Sequence, residues 1–421
     1  MRLCAKGTGL RGGPSLRRNL PGLVLVALVL ALSAPAPGGT GGTDSTLVRI
    51  DQPWSARIAQ SFLLRHPGAV TYDSASPDTK WNYEQGLILH ALLSMGEHSG
   101  DSVYFNFVRK NIDQYVDARG VIRTYDIGTY NLDNISPGRV LLALFGKTGQ
   151  EKYRAAADSL RRQLREQPRT REGGFWHKKI YPYQMWLDGL FMAEPFYAAY
   201  AAQFNEPNAF DDITNQFTWV QTHTRDRATG LLYHAWDASR QQRWSDPVTG
   251  RSPNFWSRAM GWYAMGLVDV LDLLPPDHRG RKPLLRILKS LADALWRVRD
   301  PRTSLWYQVT NKPAVPGNYL EASGSAMFAY AFARGANRGY LPRKFHNRAA
   351  HIFQGIIRNL VTVDARGLVN LHQTCRGAGL GSVPYRDGSI AYYISEPRRT
   401  NDMKGVGPFL LAAIELEGQR Q

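Results

Sequence analysis

Helical periodicity runs through almost the whole chain, and it limits the possible folds more than any other feature. Apolar residues recur at helical spacing in twelve segments, and no run between them alternates long enough to predict a major sheet. The sequence therefore predicts an all-α fold. The predicted helices are 54–66, 82–97, 102–118, 136–146, 151–167, 188–204, 208–222, 256–274, 280–298, 321–338, 342–360 and 405–417.

A short turn motif follows several of these helices and indicates an internal repeat. Each copy has a Gly or Ser and then a short apolar or aromatic piece. The copies include Gly120, Gly174, Gly230, Ser304 and Gly367, at spacings of 54, 56, 74 and 63 residues. This is about the length of a helical hairpin with its loops, so we expect the repeats to bury their faces on one another. Six hairpins would close into an (α/α)6 six-hairpin barrel, and an open superhelix of helix pairs is the alternative.

The N-terminal region has the layout of a secretory signal. A basic stretch ends at Arg17-Arg18, an apolar run spans 23–32, and small residues follow at 34–36. The apolar run is too short to cross a bilayer, which takes ~20 residues. We expect a secreted or periplasmic protein that has no membrane contact after signal removal, and a disordered basic N-terminus is the alternative. The predicted organisation is a signal peptide over 1–36, a linker over 37–51 and the helical domain over 52–418.

The charge of the chain favours an anionic partner. Its formal net charge is +17, and excess positive charge attracts anions of several classes. The basic residues are scattered and form no long cluster, which argues against nucleic-acid binding. The only cysteines are Cys4 and Cys375, and Cys4 would leave with the signal, so neither a disulfide nor a Cys-based metal site is expected. Phosphate-loop and Gly-x-Ser-x-Gly motifs are also missing. We therefore expect no cofactor and no metal.

Asp188 is the strongest candidate for a catalytic group. It lies in the otherwise apolar stretch 185–192, directly after Trp186-Leu187. Burial among apolar residues would raise the pKa of its carboxyl, so that it could hold a proton as a general acid. The alternative is an ordinary N-cap, because Asp is common where a helix begins. Asp133 has the same two interpretations.

Aromatic and basic side chains near the helix starts could bind a sugar acid. A ring such as Trp186 could stack on a sugar, although Trp and Tyr more often fill cores. Arg258 lies four residues before Trp262 and shares a helix face with it. Arg258 or Lys178 could pair with a carboxylate, although exposed lysines are usually only solvated. His234 could bind substrate or orient another group, and no second His at ligand spacing makes it a zinc ligand.

Five motifs occur together and in order along the chain: Asn131-Leu132-Asp133, 185–192, 256–262, 385–389 and 401–409. Together they resemble the unsaturated rhamnogalacturonyl hydrolases of glycoside hydrolase family 105, over roughly residues 52–418. The resemblance implies an (α/α)6 barrel, which agrees with the helix count. It also implies that Asp188 is the catalytic acid and that Asp133 is a second active-site carboxylate. The residues that it places around the substrate are Tyr83, Lys178, Trp186, His234, Arg258 and Trp262.

The activity implied by this resemblance is removal of a 4,5-unsaturated uronic acid from the non-reducing end of lyase-generated rhamnogalacturonan (pectin) oligosaccharides. Asp188 would protonate C4 of the enol ether, and water positioned by Asp133 or His234 would then add at C5. Two segments depart from the family pattern, namely 390–391 and Gly324. Both lie outside the expected catalytic set, so they bear on substrate detail.

Other functions remain open at this point. Unsaturated glucuronyl hydrolases act on glycosaminoglycan fragments with the same fold and chemistry, and the loops do not discriminate between the two substrates. Sugar epimerases also use six-hairpin barrels, but they rely on paired histidines that the sequence does not bring together. A secreted, non-catalytic carbohydrate-binding protein would keep the aromatic residues and need no acid.

Overall fold

The computed structural model describes residues 47–70 and 80–418. The predicted signal peptide, 1–36, lies outside this range, as does most of the predicted linker, 37–51. None of the helices in the described part is both long and apolar enough to cross a membrane. The helices are α1 Trp54–Arg65, α2 Tyr83–Ser99, α3 Ser102–Asp113, α4 Gly138–Thr148, α5 Glu151–Glu166, α6 Leu187–Gln203, α7 Ala209–Thr224, α8 Ser257–Leu273, α9 Arg281–Val298, α10 Ala322–Asn337, α11 Lys344–Leu360, α12 Ile390–Ser395 and α13 Met403–Glu417.

The all-α prediction is confirmed, and each of the twelve predicted helices is present with boundaries shifted by a few residues. One short helix, α12, was not predicted, because six residues are too few to show a helical period. The strands in the described residues form three two-stranded antiparallel sheets. The strand pairs are β1 Gln184–Trp186 with β2 Ala235–Asp237, β3 Val361–Val363 with β4 Val369–Leu371, and β5 Thr374–Cys375 with β6 Arg398–Arg399.

The helices form a closed double ring. Helices α2, α4, α6, α8, α10 and α13 each contact the next one, and α13 returns to contact α2. The outer helices α3, α5, α7, α9 and α11 each pack on the inner helix that precedes them, and α1 packs on α13. The first and last helices of the described residues therefore form the sixth hairpin. This is the (α/α)6 barrel, and the open superhelix is excluded.

The inner and outer rings of helices differ in how much of each helix is buried. Inner helices such as α10 are buried on nearly every side, whereas the outer α11 buries a stripe that includes Phe345, Ala349, Ile352 and Ile356. These positions are three or four residues apart, which is the spacing of one helix face. The outer helices are amphipathic because only one of their faces meets another helix.

The repeated turn is a small hairpin at the end of an outer helix. In each copy one residue has the left-handed backbone conformation, which glycine adopts without steric cost; these residues are Gly120, Gly173, Gly230, Ser304 and Gly367. An aspartate opens four of the turns, and its carboxylate accepts backbone N–H groups. Asp117, for example, accepts the N–H groups of Arg119 and Val121. The repeat inferred from sequence is confirmed, except that Gly173 and not Gly174 takes the left-handed position.

Candidate active site

The inner helices begin at one mouth of the barrel, and polar side chains gather there. Each helix start has backbone N–H groups without intrahelical partners, which favours acidic neighbours. Contacts between helices place the starts side by side: Lys404 Nζ lies 3.2 Å from Glu84 Oε1, and Tyr83 meets Trp262 edge-on at 6.0 Å. The polar residues at the helix starts are Glu84 of α2, Asp133 before α4, Asp188 of α6, Arg258 of α8, Glu321 before α10 and Lys404 of α13.

The repeated turns supply a second set of residues to this mouth. Each turn has one residue with left-handed backbone conformation. In four of the turns, the residue four positions after it lies beside the start of a helix or 3-10 turn. The carbonyl of His177 accepts the N–H of Leu132, and the carbonyl of His234 accepts the N–H of Leu187. These four residues are Thr124, His177, His234 and Gln308. The repeat thus places two histidines at equivalent positions on either side of α6.

Asp188 lies in the first turn of α6 and is 9% exposed. The N-cap of this helix is Trp186, so the N-cap interpretation of Asp188 is wrong. Pairing of Trp186 with Ala235 in the β1–β2 sheet brings the adjacent His234 to Asp188. The His234 Nε2 and Asp188 Oδ2 atoms are 3.2 Å apart. Both atoms are buried, and neither has another hydrogen-bond partner among the described residues.

The expected upward shift of the Asp188 pKa is not found. Burial raises the pKa of this carboxyl, but the imidazoles of His234 and His177 outweigh burial and lower the pKa below its ordinary value. The sequence argument counted the apolar neighbours along the chain, whereas both imidazoles come from other segments. Burial alone therefore does not keep Asp188 protonated in the free protein.

His234 is completely buried, and its other ring nitrogen, Nδ1, lies 2.7 Å from the hydroxyl of Tyr393. Tyr393 is the one buried residue of α12. It lies two residues after the segment 390–391, which departs from the family pattern. Its hydroxyl orients the imidazole that faces Asp188.

His177 was not a candidate from sequence, although it lies at the site. Its ring stacks on Trp186 with centroids 4.8 Å apart, and its Nε2 lies 3.4 Å from Asp133 Oδ1. Burial lowers the pKa of His177 to about 4, so the ring is neutral at ordinary pH. The repeat would have identified His177 from the sequence, because His177 and His234 occupy equivalent positions in two copies of the turn. Two histidines therefore lie around Trp186 and Asp188, an arrangement that the sequence did not bring together.

Asp133 belongs to a 3-10 turn, Leu132–Asn134, and is 8% exposed. The turn is capped by Asn131, so Asp133 is not a cap either. Its Oδ2 lies 2.5 Å from Lys178 Nζ. Burial alone would lower the pKa of Lys178, but the ion pair raises it. Lys178 lies at the site as predicted, and its charge is matched by Asp133 before any substrate arrives.

Arg258 is 1% exposed and presents unused donors. Its Nη2 donates to the carbonyl of Cys375, while Nε and Nη1 are buried without a hydrogen-bond partner among the described residues. Burial alone would lower the pKa of Arg258, but negative groups around it, including Glu321, raise it.

The three aromatic candidates differ in how their rings are packed. Tyr83 is half-buried at the mouth, and Trp186 stacks on both His177 and Tyr181 with centroids 4.8 Å apart in each pair. Trp262 is 1% exposed and packs on Phe191 at 4.7 Å. It lies beneath Tyr83 and has no open face. The substrate-binding position that the resemblance implies for Trp262 is therefore not supported by its burial.

The arrangement can transfer a proton and hold an anion. Asp188 with His234 forms a buried acid–base pair, and Arg258 offers two N–H donors to a carboxylate or another planar anion. Within residues 47–70 and 80–418 no three His, Cys, Asp or Glu side chains are grouped as a metal site would require.

Comparison with known proteins agrees with this chemistry. The profile of Glycosyl Hydrolase Family 88 matches residues 54–419. A solved glycoside hydrolase of family 105 from C. acetobutylicum ATCC 824 is 44% identical, covers 87% of this chain and 99% of its own, and has a TM-score of 0.83. The unsaturated rhamnogalacturonyl hydrolase YesR of Bacillus subtilis is 27% identical over 260 residues, which is 60% of this chain and 70% of YesR.

A more distant structure shares the fold alone. The unsaturated glucuronyl hydrolase of Bacillus sp. GL1, which degrades glycosaminoglycan, is 16% identical with a TM-score of 0.63, over 86% of this chain and 95% of its own. The profile match spans nearly all the described residues, and the family 105 structure is matched over almost its full length. The chain therefore belongs to Glycosyl Hydrolase Family 88, groups with the glycoside hydrolases of family 105, and is a glycoside hydrolase.

Proposed function

We propose that this glycoside hydrolase removes the 4,5-unsaturated uronic acid from the non-reducing end of lyase-generated rhamnogalacturonan oligosaccharides. The observation that carries the proposal is the buried carboxyl of Asp188 beside the His234 imidazole, with Arg258 at the start of the neighbouring inner helix. The name of the Bacillus subtilis relative supports the choice of substrate.

The charges at the site favour hydration of an alkene over direct attack on the anomeric carbon. Most glycosidases use a pair of carboxyl groups, one as acid and the other as base or nucleophile. Here Asp133 is already paired with Lys178 and lies close to His177, which weakens it as a nucleophile. Asp188 is thus the one carboxyl of the pair that is free to exchange a proton with substrate.

Arg258 suits the carboxylate of the uronic acid. The Nε and Nη1 groups of Arg258 can each donate a charge-assisted hydrogen bond to an anion. Because these donors are buried without partners, binding an anion supplies contacts that the free protein lacks. The uronate would then carry its negative charge to the mouth, where it raises the pKa of Asp188 and favours a proton on the carboxyl.

The proposed reaction starts when Asp188 gives this proton to C4 of the enol ether, leaving oxocarbenium character at C5. Water adds at C5, and its proton returns to the pair of Asp188 and His234, so the catalyst ends as it began. The C5 hemiketal opens to a ketone, and the hemiacetal thereby formed at C1 expels the aglycone as an alcohol. Tyr393 keeps the His234 ring in place through its hydroxyl.

The test is incubation with lyase-digested rhamnogalacturonan and, in parallel, lyase-digested glycosaminoglycan, following the ultraviolet absorbance of the alkene. We expect the absorbance to fall with the rhamnogalacturonan fragments and to remain with the others. Faster loss with glycosaminoglycan fragments would identify a glucuronyl hydrolase. Ligand binding without loss of absorbance in either mixture would indicate a carbohydrate-binding protein.

We also propose that the enzyme acts outside the cytoplasm, because residues 1–36 have the pattern of an export signal. Mass spectrometry of the protein from the periplasm or medium should find a shortened N-terminus. Recovery of the intact chain from the cytoplasm alone would contradict this.

A further inference from the structure

A small cavity lies behind His177, on the core side of the active site. Its walls include His177, Gly189, Leu190, Glu194 and Gln216. Its volume of about 10 Å³ is close to the space that a single water molecule requires. Gly189 leaves room here, because a Cβ atom at its position would lie 3.1 Å from the Nδ1 atom of His177.

Two residues that line this cavity each carry a polar atom with unmet hydrogen-bonding capacity. Glu194 is 1% exposed and His177 is 3% exposed. Neither Glu194 Oε2 nor His177 Nδ1 has a hydrogen-bond partner among the described residues. A buried polar atom without a partner costs stability, and bound water is the usual remedy where the space is polar and large enough. This cavity has the volume of about one water molecule, and Glu194 and His177 are among the polar residues in its walls.

The protonation states of Glu194 and His177 are compatible with a chain of hydrogen bonds between the two side chains. Burial, reinforced by Asp212 and opposed by Arg169 and Arg161, raises the pKa of Glu194 well above its ordinary value, so its carboxyl carries a proton. His177 is neutral, because burial and the charge of Lys178 outweigh Asp133 and Asp188. With Nε2 of His177 facing the carboxylate of Asp133, the single ring proton belongs on Nε2, and Nδ1 is left as an acceptor.

We propose that one water molecule in this cavity joins Glu194 to His177 and makes Glu194 a positioning residue for the active-site imidazole. The Glu194 hydroxyl donates to the water, the water donates to His177 Nδ1, and the Nε2–H of His177 donates to Asp133. The water and Asp133 together thus hold the His177 ring in the Nε2–H tautomer. The kinetic part of the test rests on the proposed function, whereas the cavity water and the tautomer do not.

Two substitutions of nearly equal size separate hydrogen bonding from packing. Glu194→Gln keeps a donor that can reach the water, and Glu194→Leu removes it. A high-resolution crystal structure of the unsubstituted protein should show a water within hydrogen-bond distance of both Glu194 Oε2 and His177 Nδ1. The ¹⁵N resonances of the His177 ring, assigned by their loss in His177→Gln, should show the Nε2–H tautomer in the unsubstituted protein and in Glu194→Gln. A mixture of tautomers is expected in Glu194→Leu.

The kinetic readout distinguishes positioning from a purely structural role. With an active substrate, Glu194→Leu should lower kcat about ten-fold with little change in KM, as expected for one lost hydrogen bond. Glu194→Gln should restore most of the rate, and the melting temperature of neither variant should fall. A dry cavity, or an unchanged His177 tautomer in Glu194→Leu, would overturn the proposal. If no unsaturated substrate is cleaved, the proposed function fails while the cavity water and the tautomer still decide this inference.

Discussion

Replacement of Arg258 by lysine tests how the site recognises an anionic sugar. The guanidinium is 1% exposed and has two buried N–H groups without a partner among the described residues. Lysine keeps the positive charge but replaces the planar pair of donors by one compact ammonium group. The carboxylate of the substrate would therefore keep its charge contact and lose one charge-assisted hydrogen bond.

The expected magnitude follows from that single bond. A hydrogen bond to a charged group contributes about 2 kcal/mol, which corresponds to a loss of about 30-fold in kcat/KM. We expect most of the loss in KM. The contact of Arg258 with the Cys375 carbonyl is worth about 1 kcal/mol to the fold. Its loss would lower the melting temperature by about 2 °C or less in a domain of this size.

The assay is initial-rate kinetics by alkene absorbance, with thermal unfolding of the same samples. Arg334→Lys is the matched control, because Arg334 lies at the other end of the barrel and is paired with Asp272 and Glu415. That variant should melt at a lower temperature and keep its KM. Unchanged kcat/KM in Arg258→Lys, or a fall in melting temperature like that of the control without a kinetic effect, would refute this role of Arg258.

Three further predictions concern the acid and its surroundings. Asp188→Asn should abolish turnover and leave the circular dichroism spectrum unchanged, since an amide cannot supply the proton; near-normal turnover would remove Asp188 from the mechanism. In heavy water, deuterium should appear at C4 of the released keto sugar, and a saturated uronide of the same linkage should be inert; cleavage of the saturated compound without deuterium at C4 would indicate an ordinary glycosidase. Because the pKa of His177 is lowered from 6.5 to about 4 in the folded state, the unfolded chain takes up this proton first, and stability should fall as the pH drops from 6.5 to 4. This shift contributes about 3 kcal/mol to the change in the free energy of unfolding over that pH range. The free energy of unfolding of His177→Gln, measured with urea, should therefore depend less on pH between 6.5 and 4. An equal pH dependence in the two proteins would contradict the shift.

Much of the fold could be predicted because its signals are local. An apolar residue every three or four positions is a property of one helix, and it shows in the sequence wherever one face is buried. The turn motif is also local, since a carboxylate such as Asp117 caps backbone groups within four residues. The number of hairpins and the spacing of their turns were therefore enough to predict the barrel. α12 was missed because a helix of six residues has no measurable period.

Part of the site could be predicted for the same reason. Asp188 was conspicuous as a carboxyl in an apolar stretch at a helix start, and the structure places it at the barrel mouth with 9% exposure. Arg258 was also found, and its burial with free donors agrees with a role in binding an anion. His177 was missed because its importance lies in its equivalence to His234 within the repeat.

Only the tertiary structure decided the electrostatics of the mouth. The pKa of Asp188 depends on His234 and His177, which are distant along the chain but adjacent in space, and charges act through space over several ångströms. The sequence by itself determined which residues begin each inner helix, because the helical period and its boundaries are local. Ring closure determined which of these residues meet: it brings α13 against α2, so that Lys404 reaches Glu84, and it buries Trp262 under Tyr83. No local pattern encodes such contacts, because they depend on how all six hairpins pack together.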